Sequence, residues 1–203
     1  MFIEKGWQIF NYQQSVADWA KAAYLEAIKL IANPLLQEKW LQCEGTWFVG
    51  VDTIPSDEVG SIGGIPLAGK VIDKLSFYET RSMHPAQLSV VFPGYPRARK
   101  GETTSAYSYR LKRDGAHVDG LLPVGRLRQR MLKEPHAYIL GIPLNEFSAK
   151  ASPLAIWEGS HIVMSRSFRK VLNDINPSKW HKIDLTQVYK AARRQIFEDC
   201  KRI

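Results

Sequence analysis

Short apolar runs closed by turns rich in glycine and proline constrain this 203-residue chain more than any other feature. Residues 46–51 (Thr-Trp-Phe-Val-Gly-Val) are rich in β-branched and aromatic side chains, and Asp52-Thr53-Ile54-Pro55-Ser56-Asp57 after them is turn chemistry. Residues 87–92 end in Pro93-Gly94-Tyr95-Pro96, and residues 138–144 are almost unbroken apolar. From about Ser105 the chain alternates, so that Tyr107, Tyr109, Leu111, His117 and Asp119 fall on one face of a predicted strand. Strands this short are stable only when packed into a layered β structure. The expected fold is mainly β with flanking helices, an α+β class, in one domain over residues 1–203. The strand pattern suits a double-stranded β-helix of the jelly-roll or cupin kind.

Helices are expected at both ends, in a helical part over about 1–45 and a C-terminal helix over about 184–202. Ser15-Val16-Ala17-Asp18 has the form of a capping box, Val16, Ala20, Ala23, Ala27 and Ile31 recur at helical spacing, and Asn33-Pro34 supplies the stop. A second short helix fits residues 35–43. At the other end Asp184 precedes Leu185, Val188, Tyr189, Ala192, Ile196 and Cys200, which share one helical face. An apolar content of 45% sets disorder aside. No apolar run approaches the roughly 20 residues that span a bilayer, and the first residues lack a signal pattern. A soluble, cytoplasmic protein with no membrane partner is expected. Cys43 and Cys200 are isolated, which suggests neither a zinc site nor a disulfide framework. The glycine-rich stretch 60–70 lacks both G-x-G-x-x-G and a Gly-Lys-Ser/Thr ending, so it reads as a loop and not as a phosphate cradle.

The chemistry-bearing stretch is Arg113-Asp114-Gly115-Ala116-His117-Val118-Asp119-Gly120. Side chains at i and i+2 share one face of an extended chain. An imidazole and a carboxylate so placed supply two-thirds of the 2-His-1-carboxylate triad that holds non-haem Fe(II) with positions left open. An H-x-D triplet alone is equally a surface pair. Downstream stand Tyr138-Ile139-Leu140-Gly141-Ile142-Pro143-Leu144, a polar break, and then Ser152-Pro153-Leu154-Ala155-Ile156-Trp157-Glu158-Gly159-Ser160-His161.

In order and spacing, residues 87–165 resemble the phytanoyl-CoA dioxygenase-like family of Fe(II)/2-oxoglutarate oxygenases. In that family an H-x-D strand end is followed by an apolar strand, a variable loop, a small-Pro-Leu strand and a Pro-Gly-Ser/Thr-His turn. Here Glu158 replaces the proline of the turn. The resemblance implies Fe(II) as metal, 2-oxoglutarate as co-substrate, His117 and Asp119 as metal ligands, and hydroxylation or other oxidation of a small organic substrate. It also implies a second metal histidine and a co-substrate arginine in later strands. The sequence contains no such segment, so the chain is similar to a family member lacking its C-terminal part.

Two readings of the third ligand stay open. In one, His161, 42 residues beyond Asp119, completes the triad and Arg169 meets the co-substrate. In the other, His161 is the turn histidine, near the pocket but off the metal. Tyr107 and Tyr109 are candidates for the co-substrate or substrate pocket, or core aromatics with a polar tip. Missing strands would leave a sheet edge uncovered, which invites homo-oligomerisation. A rival function is a non-catalytic jelly-roll binding module for a carboxylated or other anionic ligand. The formal net charge of +8 points the same way: ten basic residues stand against four acidic ones between Arg97 and Glu134. An anionic small-molecule substrate is expected from this. Nucleic acid, which rests on charge alone, is not.

Overall fold

A computed structural model describes residues 2–75, 83–148 and 150–203. The structure is α+β, and the chain divides into two compact units. The central unit comprises Phe10–Leu111 and Leu140–Pro153; the terminal unit comprises Met1–Ile9, Lys112–Ile139 and Leu154–Ile203. In chain order the described elements are α1 (Phe2–Lys5), α2 (Gln14–Ala32), α3 (Pro34–Trp40), β1 (Leu41–Gln42), β2 (Trp47–Ile54), α4 (Lys70–Leu75), β3 (Ala86–Val91), α5 (Thr104–Leu111), β4 (Leu121–Val124), β5 (Gln129–Leu132), α6 (Ser160–Leu172), a 3-10 helix (Pro177–Lys182) and α7 (Thr186–Asp199). Among the described residues no helix is long and apolar enough to cross a membrane.

The central unit is α2 laid on a three-stranded antiparallel sheet of order β1-β2-β3. Ala20, Ala23 and Ala27 are buried along one face of α2 together with Trp19, against Phe48, Ile54 and Leu88 of the sheet. Small side chains on that face let the helix axis come close to the strands. The Trp19 indole, buried here, donates to the Gly60 carbonyl at 2.7 Å, so its one polar atom is satisfied. Asn33 ends α2 and starts α3: its side chain accepts from the Leu35 amide at 2.9 Å with Pro34 at the first helical position. Ser15, expected to cap α2, lies inside it and donates to the Ala68 carbonyl instead. Between Gly50 and Ile54 the register of β2 against β3 shifts, and Asp52 takes a positive φ of 54° there.

One expected strand is a helix. Residues 104–111 form α5, started by Thr103, whose hydroxyl accepts from the Ala106 amide at 3.2 Å. The Arg110 guanidinium donates twice to Glu102, at 2.9 and 2.8 Å, and also to the Arg97 carbonyl at 2.9 Å. This clamp, 13% and 12% exposed at its two side chains, ties the end of α5 to the loop before it. Tyr107 donates to the Pro96 carbonyl at 2.8 Å, whereas Tyr109 is largely exposed. Two residues apart on a helix, they do not share a face.

Residues 138–144 likewise carry no ladder. Ile142 and Leu144 pack on the central core, while Pro143 has no amide to contribute to a strand pair.

The terminal unit packs α6 and α7 around the hairpin β4–β5, whose register runs from Leu121↔Leu132 to Val124↔Gln129. Gly125 (φ 67°) and Arg128 (φ 50°) take the left-handed backbone that closes its turn. Leu121, Met164, Leu172, Leu185, Tyr189, Ala192 and Ile196 form the core of the unit. Met164, Phe168 and Leu172, four residues apart, set the inner face of α6. Asp184, expected as the cap of α7, stands one residue before the cap position: Leu185 is the N-cap, and the Asp184 carboxylate accepts from the Thr186 amide at 2.9 Å. Among the described residues the strands form one three-stranded and one two-stranded sheet, without closing into a barrel.

Phe48 is wholly buried, so Phe48→Ala is expected to cost about 3–5 kcal/mol, read from urea denaturation. Hydrogen bonds from Arg110 hold the Glu102 carboxyl down at about 2 from an ordinary value of 4.5. A carboxyl depressed in the folded state stabilises fully above its unfolded value and loses that contribution as pH falls through the folded one. Stability should therefore decline between about pH 4.5 and 2, and Glu102→Gln should flatten that part of the profile.

Candidate metal centre

The H-x-D triplet sits in the terminal unit between a tight reversal and the base of the hairpin. Asp114 (φ 48°) and Gly115 (φ 65°) turn the chain back, and the Ala116 amide donates to the Arg113 carbonyl at 2.8 Å. The Asp114 carboxylate receives Arg202 through Nε at 2.6 Å and Nη2 at 2.9 Å, which holds its pKa below the ordinary carboxylate value. From there the chain runs extended. Ala116 and Val118 turn inward to the core, and His117 and Asp119 turn outward together, 67% and 48% exposed. The two-residue periodicity holds locally, but the pair faces solvent and not a barrel interior.

His117 Nε2 lies 3.1 Å from Asp119 Oδ1, and His117 Nδ1 lies 3.0 Å from the Gly115 carbonyl. A carbonyl only accepts, so Nδ1 carries the proton in that bond. Nε2 then holds either a second proton, making an ion pair with Asp119, or a bare lone pair directed at a cation. A metal-binding histidine typically donates its other N–H to a carbonyl in this manner. Adjacent ligands on an octahedral ion with bonds of about 2.1 Å stand about 3 Å apart, which the His117–Asp119 separation matches. The Asp119 carboxyl is held below its ordinary value chiefly by the hydrogen bond from His117, against the opposing effect of burial, with further help from the charges of His117 and His136.

Three side chains from elsewhere in the unit brace this corner. Arg193 of α7 donates to the Ala116 carbonyl at 3.0 Å, just before His117. Arg130 of β5 donates to the Leu121 carbonyl at 3.3 Å, just after Gly120. Both guanidiniums lie over the buried Tyr189 ring, at 5.9 Å for Arg130 and 5.3 Å for Arg193. Gly120 itself has no room for a side chain. At φ 75° an added Cβ would fall 1.7 Å from the Glu134 carbonyl oxygen and 3.1 Å from the His136 ring. Its carbonyl accepts from the Lys133 and Glu134 amides at 2.9 and 3.2 Å, so the carboxylate of Asp119 is positioned by the hairpin.

The other expected site residues are carried by other elements. His161 lies in the first turn of α6 with Nε2 2.7 Å from the Ile3 carbonyl and its ring packed on Gly6. Arg169 is exposed on α6. Tyr107 and Tyr109 belong to the central unit. Among the described residues no three His, Cys, Asp or Glu side chains gather as a metal would need. Of the braces, the sequence places Tyr189 on the inner face of the C-terminal helix, while the carbonyl-binding roles of Arg130 and Arg193 come only from the structure. No protein-family model, curated protein or solved structure matches the chain.

Arg193→Met removes the donor to Ala116 and one cation over Tyr189. It should destabilise the unit by on the order of 2 kcal/mol and speed amide hydrogen exchange at residues 116–119, with exchange in the central unit unchanged.

Proposed function

We propose that this chain is an Fe(II)/2-oxoglutarate dioxygenase-like protein of the phytanoyl-CoA dioxygenase-like kind, with His117 and Asp119 holding the metal. The observation that carries this reading is the 3.1 Å approach of His117 Nε2 to Asp119 Oδ1, with Nδ1 engaged by the Gly115 carbonyl. Imidazole plus carboxylate is the donor set of a site that keeps open positions for co-substrate and oxygen. When bound, Fe(II) would supply oxygen activation at the expense of 2-oxoglutarate, and the substrate would be a small, anionic organic molecule. Arg193, Arg130 and Tyr189 would fix the backbone that presents the two ligands, and Gly120 would let the hairpin approach Asp119. In this reading the chain's antiparallel strands belong to a double-stranded β-helix, and the third ligand and the co-substrate cation come from groups not gathered at this pair among the described residues.

A second reading, a non-catalytic binding module for a carboxylated ligand on the same fold, draws support from the exposure of the pair.

Anaerobic titration of the chain with Fe(II) and 2-oxoglutarate separates the two. The dioxygenase reading expects a weak visible charge-transfer band that is lost in Asp119→Ala. If His161→Ala also abolishes the band, His161 is the third ligand; if it leaves the band intact, the triad is completed elsewhere. A chain that binds 2-oxoglutarate equally well with and without Fe(II), and regardless of Asp119→Ala, is the binding module.

A further inference from the structure

The charge of this protein is segregated. The terminal unit holds 17 Lys and Arg against 9 Asp and Glu, whereas the central unit holds 11 of each, so the whole net charge of +8 belongs to the terminal unit. Part of that positive charge is consumed internally. Arg202 is paired with Asp114, Arg130 and Arg193 are bonded to carbonyls, and Arg113 lies over the Phe197 ring at 5.0 Å. Arg166, Arg169 and Lys170 differ. They are exposed on α6 at helical spacings of three and four, and none of their side chains has an ion pair, hydrogen bond or ring contact among the described residues. The two arginines have no acidic residue three or four positions away, and Lys170 has one, Asp174, beyond the helix end.

We propose that this outer face of α6 binds the phosphate backbone of a nucleic-acid duplex. The proposal is independent of the metal reading. Three cations unpaired among the described residues on one helix face, in a unit with a net excess of positive charge, suit a closely spaced line of phosphates. Exposed Ser165 adds a hydroxyl of the kind that contacts phosphate oxygens. The face carries no exposed aromatic ring on which an unpaired base would stack, since Phe168 packs on the core, so contact is with backbone and not with bases. A membrane surface fits less well. The apolar face of α6 that would enter a bilayer, Met164, Phe168 and Leu172, is already occupied by the core, and the exposed Ile162 and Val171 lie on opposite sides of the helix.

The test is fluorescence anisotropy of a labelled DNA duplex of about 20 base pairs, titrated with the 203-residue chain across a salt series. The expected dissociation constant lies at about 10⁻⁴–10⁻⁶ M near physiological salt, and three phosphate contacts alone correspond to about 40-fold weakening between 50 and 200 mM salt. Substituting Arg166→Gln, Arg169→Gln and Lys170→Gln together should remove that share and lower the salt slope by about 3, with unchanged circular dichroism. Arg169→Gln alone, the smaller change, should lower the slope by about 1. Equal affinity and slope for parent and variants overturns the proposal, as does failure of the parent to bind at about 50 mM salt. Tighter binding to phosphatidylserine vesicles assigns the face to a membrane instead, and equal competition by polyglutamate assigns it to an acidic protein; either overturns the nucleic-acid proposal.

Discussion

The stacking of two guanidiniums on one buried ring organises the terminal unit. Tyr189 lies in the core, Arg130 reaches it from the hairpin and Arg193 from its own helix, one turn on. Each arginine then spends a donor on a carbonyl at one end of the segment 116–121. A six-residue stretch with no ladder of its own is thus pinned at both ends by side chains, and its two outward groups are left at a separation suited to a cation. Remove the ring, and both arginines lose the surface that aligns them. Charged residues here do the work that a sheet would do elsewhere, because a guanidinium can stack on an aromatic face and donate in its plane at once.

The central unit achieves order by a different route. Its helix approaches the sheet through alanines, and Phe48 fills the space that those small side chains leave. Its loops are tied by polar clamps, the densest being Glu102 with Arg110. A depressed carboxyl and a bidentate guanidinium there fix residues 97–110 without any large apolar contribution.

Much of this was legible in the sequence where one physical signal acted alone. The 3.6-residue period of α2, the Asn33-Pro34 stop, the β-branched run of β2, the run of β3 and Asp184 before α7 each pointed to the element observed. Signals in competition were not legible. Alternation through Tyr107, Tyr109 and Leu111 suggested a strand, but Thr103 caps a helix there and Arg110 closes on Glu102, a partner eight residues back that no local window reveals. The residues 121–132 contain a hairpin signal in Gly125, masked by the density of arginines around it. In the site, the sharing of one face by His117 and Asp119 followed from i, i+2 geometry, whereas its outward direction and its bracing by α7, more than 70 residues away, could only come from tertiary packing.

The way the chain is apportioned has a consequence for its synthesis. The polypeptide passes between the two units four times, and the central unit has all its residues once Pro153 is made. The terminal unit does not: its first nine residues and the segment bearing His117 and Asp119 wait for α6 and α7. Arg193, which clasps the Ala116 carbonyl, follows it by more than 70 residues. A nascent chain therefore completes its α2–sheet module before it holds the residues that order the His117–Asp119 pair.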